Sequence, residues 1–215
     1  MDKLEQILPL VKKPARYTGG EWNSVRKDWD KTELKTVFAF PDVYEVGMSH
    51  LGMQILYNIV NSRPDALMER VFAPWPDMAE KMRDNGLALF ALESQRPVKD
   101  FDIVAFTLQY EMSYSNILYM LDLAGIPLRA GHRNEEEPLV IAGGPCAFNP
   151  EPMADFIDIF VIGEGEEVIN ELLDVVLAGK RRKLGKKEIL LEAAGVPGIY
   201  VPSLYNVYYR EDGTF

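Results

Sequence analysis

The chain has 215 residues, 47% of them hydrophobic and 26% charged, and a formal net charge of −10. That balance is ordinary for a globular protein. The acidic excess argues against a general nucleic-acid binder, and no apolar run is long enough to span a bilayer. The single cysteine, Cys146, excludes an intramolecular disulfide and an iron–sulfur cluster held by cysteines of one chain, and fits a reducing cytoplasm.

Residues 1–35 lack clean periodicity and are expected to form an arm. It would carry a short helix over Leu4–Val11, breaks at Pro14 and Gly19-Gly20, and Tyr17 and Trp22 packed on the main body. The start, Met-Asp-Lys-Leu-Glu-Gln, does not read as a signal peptide. Thr36–Phe40 is a strand closed by Pro41, followed by a polar loop. Ser49 is a good N-cap for a helix whose Leu51, Ile55, Leu56 and Ile59 recur at helical spacing. Val71–Ala73 reads as a strand, and Pro76–Gly86 as a helix with proline in its first turn and glycine past its end. Ala88–Leu92 reads as a short strand or extended segment, and Phe101–Leu108 as a buried strand. Ser113 is placed to cap a helix carrying Ile117, Leu118, Leu121 and Leu123, ended by Gly125. Gly131–Pro138, with His132, is a polar connector.

The next stretch reads as an apolar strand from Leu139, a Gly143-Gly144-Pro145 turn, a small helix and a second strand from Ile157. A Gly163-Glu164-Gly165-Glu166 turn then opens a helix reaching Ala178. Strands alternating with helices imply an α/β fold: an open parallel sheet of about five strands with helices on both faces. Ligands of such sheets bind at the carboxyl ends of the strands. The turns at 42–49, 107–111, 143–147 and 163–166 should therefore share one edge.

Past Gly179 the basic run Lys180–Lys187 reads as a solvated linker, with a docking patch as its rival. A short helix over Lys187–Ala194 should follow, then strands at Ile199–Val201 and Tyr205–Tyr209 and a hairpin turn at Glu211–Gly213. The chain stops at Phe215, where a returning strand would begin, so a fragment of a longer protein is expected. The expected organisation is an arm (1–35), an α/β domain (36–179) and a linker opening a β segment (180–215).

Several motifs carry a resemblance: Ile141-Ala-Gly-Gly-Pro145, Asn149-Pro-Glu-Pro152 and Ile162-Gly-Glu-Gly-Glu-Glu167. The arm Lys13–Asn23, the turn Pro41–Gly52 and the tail Gly195–Ser203 add to them. Together they resemble the Rossmann-like, cobalamin-binding-type domain at the front of many radical SAM enzymes, along nearly the whole chain. The resemblance implies an N-terminal accessory domain, not itself catalytic, with cobalamin as its candidate cofactor. S-adenosylmethionine and an iron–sulfur cluster would belong to a following radical SAM domain, whose Cys-x-x-x-Cys-x-x-Cys motif is absent from these residues. That domain would be the partner, and the substrate stays unnamed. The rival reading is an interaction module that kept the fold and lost the cofactor.

Classical cobalamin domains carry Asp-x-His-x-x-Gly after the first strand, with the histidine as lower cobalt ligand. Laid on Gly47–Gly52, that motif matches Gly52 but puts Gly47 at the aspartate and Ser49 at the histidine. His50 is one position late, about 100° of rotation on a helix, and should sit in a polar helix start. The resemblance thus implies cobalamin held without a lower axial histidine, with the Met53 side and the loop 41–48 against the corrin. Gly143 and Gly144 would admit the nucleotide tail, although a glycine pair equally serves any tight turn. Thr107 and Leu108 fall where the family has a small hydroxyl residue, and Gly163 and Glu164 complete the candidate set. The loop Gly163–Val168 resembles a dinucleotide loop only superficially. Val168 replaces the third glycine, and three glutamates stand where a pyrophosphate would sit. Cys146 reads as a structural thiol or a ligand neighbour, and Asp42, Glu45 and Glu111 as carboxylates near the ligand edge. No nucleophile–base pair or metal-ligand spacing emerges.

Overall fold

The computed structural model describes residues 3–206, 208 and 210–213. Strands β1 (Leu34–Phe40), β2 (Ala66–Phe72), β3 (Ile103–Thr107), β4 (Leu139–Gly143) and β5 (Ile159–Val161) are parallel. A short β6 (Ile199–Tyr200) joins β5 antiparallel, giving a six-stranded sheet in the order β2-β1-β3-β4-β5-β6. Both faces are covered, as the near-continuous apolar runs require. Val37, Val104, Phe106 and Val140 meet the arm helix α1 (Lys3–Ile7) and side chains such as Met78 and Ile117 in one core. Phe38, Ala105, Ile141 and Val161 point to the other face, beside Met53, Leu172 and Ile189. Burying each such side chain is worth roughly 1.5–3 kcal/mol, which orders the layers. The expected α/β class holds, with five parallel strands and one antiparallel addition.

In chain order, α2 (Tyr44–Met48) and α3 (Leu51–Ser62) follow β1, α4 (Pro76–Asp84) follows β2, and α5 (Tyr114–Ala124) follows β3. Helices α6 (Gly165–Arg182) and α7 (Lys186–Ala193) separate β5 from β6. The polar loop expected after Pro41 therefore contains a helical turn, α2.

Several expectations are corrected. Strand β2 begins at Ala66 and not near Val71, because Glu69 and Arg70 break the apolar run yet are both buried. Arg70 Nε donates to Glu93 at 2.6 Å, and Glu69 accepts from the Ser94 hydroxyl at 2.6 Å. These distant partners satisfy polar groups that would otherwise be costly to bury. Of the two alternatives for Ala88–Leu92, the short strand is not formed; the segment holds an isolated bridge between Phe90 and Pro97. It lies along the outer edge of β2, where Leu92 N donates to Arg70 O at 2.7 Å. Ser113 stands at the N-cap position of the helix from Tyr114, as expected, but its side chain makes no capping bond; it ends the 3-10 turn Glu111–Ser113, and its hydroxyl donates to Tyr110 O.

The basic run is not a solvated linker. Helix α6 continues through Lys180 and Arg181 to Arg182, and Lys183 turns the chain in a left-handed conformation (φ +58°). Lys180 bonds Asp102 at 2.6 Å, Arg181 pairs with Glu33 at 2.7 Å, and Arg182 pairs with Glu192. In the arm, Leu4, Ile7, Val11 and Tyr17 are buried, but Trp22 is fully exposed and packs on nothing. The strand expected at Tyr205–Tyr209 lies partly outside the described residues, and Tyr205 and Asn206 are not in a strand.

Candidate functional site at the carboxyl edge of the sheet

Because β1, β3, β4 and β5 are parallel, the turns after them converge on one edge, as expected. A cavity of about 180 Å³ opens there, between the sheet and helices α3 and α6. Its floor is Phe38, Ala105, Ile141 and Val161, one from each strand, all on the same face by strand alternation. Leu56 of α3 and Ile169 of α6 form its walls. His50, Gly52, Thr107, Gln109, Gly143, Gly144, Gly163 and Glu166 also line it.

The register makes the slot. Thr107 pairs with Gly143, and Gly143 with Val161, so the small residues lie side by side at the strand ends. Leu108 N donates to Gly143 O at 2.7 Å and Cys146 N to Leu108 O at 3.0 Å, tying the β3 and β4 turns together. Gly144 sits at φ +104°, and a Cβ there would stand 3.0 Å from Leu108 O and 3.1 Å from Thr107 Oγ1. Only glycine serves this turn without strain. Gln109 Nε2 donates to Thr107 Oγ1 at 2.5 Å, holding the hydroxyl at the slot.

Of the ten sequence-derived candidates, six line the slot: His50, Gly52, Thr107, Gly143, Gly144 and Gly163. Four do not. Gly47 is packed so tightly that a Cβ would lie 2.3 Å from the Phe72 ring. Ser49 closes α2, its hydroxyl donating to Val46 O at 2.8 Å. Leu108 is fully buried and contributes only backbone to the turn. Glu164 stands at the N-cap of α6, and Glu166 reaches the lining in its place. Glu166 and Glu167 occupy the first turn of α6, where the helix dipole favours negative charge.

The helix expected to start at Ser49 is instead capped by His50, whose Nδ1 accepts the Met53 N–H at 3.1 Å. The His50 ring stands 5.3 Å from the Phe40 ring. Met53 has no exposed surface and belongs to the core, so it cannot pack against a ligand as expected. Gln109 and Glu166 lie within the turns expected at this edge but were not among the candidate residues, and neither were Leu56 and Ile169. Gln109 is the nearest miss, two residues past Thr107.

The carboxylates near this edge are engaged separately. Asp42 accepts the Val43 N–H at 2.7 Å. Glu45 pairs with Arg16 at 2.8 Å and Lys13 at 3.1 Å. Its pKa is depressed to about 2, chiefly by the Arg16 hydrogen bond. Glu111 stands by the Cys146 thiol, whose pKa is raised by burial and then by that carboxylate. A raised thiol pKa keeps Cys146 protonated, in keeping with an unreactive cysteine. Leu51, at the start of α3, and Tyr110, Met112 and Phe148, in the turns after β3 and β4, are exposed apolar side chains.

Among the described residues no helix is long and apolar enough to cross a membrane. A protein of Methanocaldococcus jannaschii, itself uncharacterized, is 30% identical over 144 residues, 63% of this chain and 26% of its own length. The chain thus spans about a quarter of that relative. Among solved structures, the radical S-adenosylmethionine methyltransferase TsrM from Kitasatospora setae, with tryptophan substrate and an S-adenosylmethionine analogue bound, is similar. That match has 13% identity and a TM-score of 0.48, over 83% of this chain and 29% of the other. The family model described as radical SAM proteins, N-terminal, matches residues 52–202, most of the sheet and its carboxyl edge, and the chain belongs to that family.

Proposed function

We propose that this chain is the cofactor-holding accessory unit of a radical SAM enzyme, and that the carboxyl-edge slot takes the nucleotide tail of cobalamin. The observation that carries this reading is the slot itself, open where a retained fold without a ligand would be free to fill with side chains. An apolar cavity of roughly 150 Å³ takes one benzene-sized ring. The 180 Å³ between Ala105, Ile141, Val161, Leu56 and Ile169 therefore suits a flat ring, with the rest of the ligand outside. Gly143 and Gly144 keep the passage narrow but clear, and Thr107 offers a hydroxyl beside it. His50 Nδ1 accepts the Met53 N–H, which leaves the ring proton on Nε2, so in this arrangement the imidazole would not ligate cobalt. Bound cobalamin would supply a redox-active, alkylatable cobalt. S-adenosylmethionine, the iron–sulfur cluster and catalysis would belong to the following domain, in the cytoplasm, acting on a substrate this unit does not define.

The test is titration of the purified protein with hydroxocobalamin, followed by visible spectra, for wild type and Gly143→Val. Gly143 is the last residue of β4, and its Cβ position has ordinary contacts of 3.5 Å to Val161. Valine is therefore compatible with the strand while filling the slot mouth. Binding by wild type and a loss of about tenfold or more in the variant are expected. Equal binding by both would refute the tail site. A second reading, a docking module without cofactor, is favoured by the exposed Tyr110, Met112 and Phe148 around the slot. It predicts no corrinoid binding by either protein.

A further inference from the structure

We infer that His50 is a specificity-determining hydrogen-bond donor of the slot, presenting Nε2–H to an acceptor oxygen of the bound ligand. The inference rests on reading the slot as a cobalamin-tail site and adds the residue that would recognise the ligand's polar part. A neutral imidazole has one donor and one acceptor nitrogen, and which is which follows from the bond the other makes. Here Nδ1 accepts the backbone N–H of Met53 at 3.1 Å, so Nε2 carries the proton. A protonated nitrogen cannot ligate a metal, but it can donate. The ring lines the slot, and Nε2 has no hydrogen-bond partner among the described residues.

The ring is also held in place. Its plane is tilted 53° to the Phe40 ring, and its Cε1 stands 3.0 Å from the position a Cβ on Gly52 would take. A side chain at Gly52 would therefore press on the imidazole, which ties this glycine to the ring's orientation. The other polar side chains of the lining are differently disposed. The Thr107 hydroxyl already accepts from Gln109 Nε2 at 2.5 Å, and Glu166, when ionised, offers only acceptors. His50 thus adds a rigid N–H donor to a lining otherwise mostly apolar. Its target in cobalamin is an oxygen, either a corrin-amide carbonyl or the phosphodiester of the tail.

The experiment separates this donor role from the capping role. Serine and aspartate both accept the Met53 N–H as N-caps, but neither can replace the imidazole N–H at Nε2. His50→Ser, His50→Asp and wild type are titrated with hydroxocobalamin and with cobinamide, which lacks the nucleotide tail, and their thermal melts are compared. Both variants should melt close to wild type and bind hydroxocobalamin about three- to tenfold more weakly, the scale of one hydrogen bond. A loss seen with both corrinoids assigns the acceptor to a corrin amide, and a loss confined to cobalamin assigns it to the phosphodiester. Unchanged affinity in both variants would overturn the donor role while leaving the tail site standing. An axial-nitrogen signal in reduced wild type that disappears in His50→Ser would overturn it too, by making His50 a cobalt ligand. Absence of corrinoid binding by wild type would remove the tail-site reading, and this inference with it.

Discussion

Replacing Arg70 by methionine should be among the most damaging single substitutions in this chain. The Arg70 side chain has no exposed surface, and that of its partner Glu93 is only 1% exposed. Besides the 2.6 Å bond to Glu93, the guanidinium donates to Ser24 Oγ of the arm and to Met48 Sδ of α2, and it lies 4.4 Å over the Tyr57 ring of α3. One side chain therefore joins the arm, helices α2 and α3, and the segment covering β2. Removing one partner of a buried pair leaves an uncompensated charge and costs about 3–5 kcal/mol. A domain of this size loses roughly 2–4 °C of melting temperature per kcal/mol, so a drop of about 6–20 °C is expected. Burial pushes the Glu93 carboxyl pKa up and Arg70 holds against it. A carboxyl raised above its unfolded value stabilises most below the unfolded pKa and loses that contribution as pH rises through the folded one. The Arg70→Met defect should thus be largest at neutral pH and shrink as pH falls and Glu93 takes a proton. The double variant Arg70→Met/Glu93→Gln should recover much of the loss. Urea and thermal unfolding of the three proteins at two pH values measure this. A single-variant loss below about 1 kcal/mol, or a double variant no better than the single, would refute the reasoning.

Two smaller effects follow from the same geometry. Gly144→Ala should cost about 1–3 kcal/mol in urea unfolding, because φ is +104° and the added Cβ meets Leu108 O at 3.0 Å; an unchanged midpoint would show that the turn can relax. Glu45→Gln should lower stability slightly at neutral pH. With the native pKa depressed to about 2, that contribution is present above the unfolded carboxylate pKa and lost as pH falls towards 2. The melting curves of wild type and variant should therefore converge in acid, and a gap that widens would contradict the pairing with Arg16 and Lys13.

Much of the architecture was legible from local pattern. The runs at Thr36–Phe40, Ile103–Thr107 and Leu139–Gly143 are apolar on both strand faces, and a helix follows each of the first two. Parallel strands with helical crossovers put their following turns on one edge, so the location of the slot follows from chain order alone. Glycine at 144 marked its own left-handed turn.

What local pattern could not decide is wherever partners come from far along the chain. Glu69 and Arg70 look like the end of an apolar run, and only Ser94 and Glu93, over twenty residues away, make them strand residues. The run Lys180–Arg182 looks like a solvated linker until Asp102 and Glu33 meet it across the fold. Ser49 has the better capping propensity, yet α2 ends on it, and the cap falls to His50, which points Nδ1 back at Met53. The slot is the clearest case. Ala105, Ile141, Val161, Leu56 and Ile169 each read as ordinary core positions. That they leave a ring-sized gap depends on the strand register and on how α3 and α6 settle against the sheet. Periodicity reports which face of an element is buried, but the space left between two buried faces belongs to their packing.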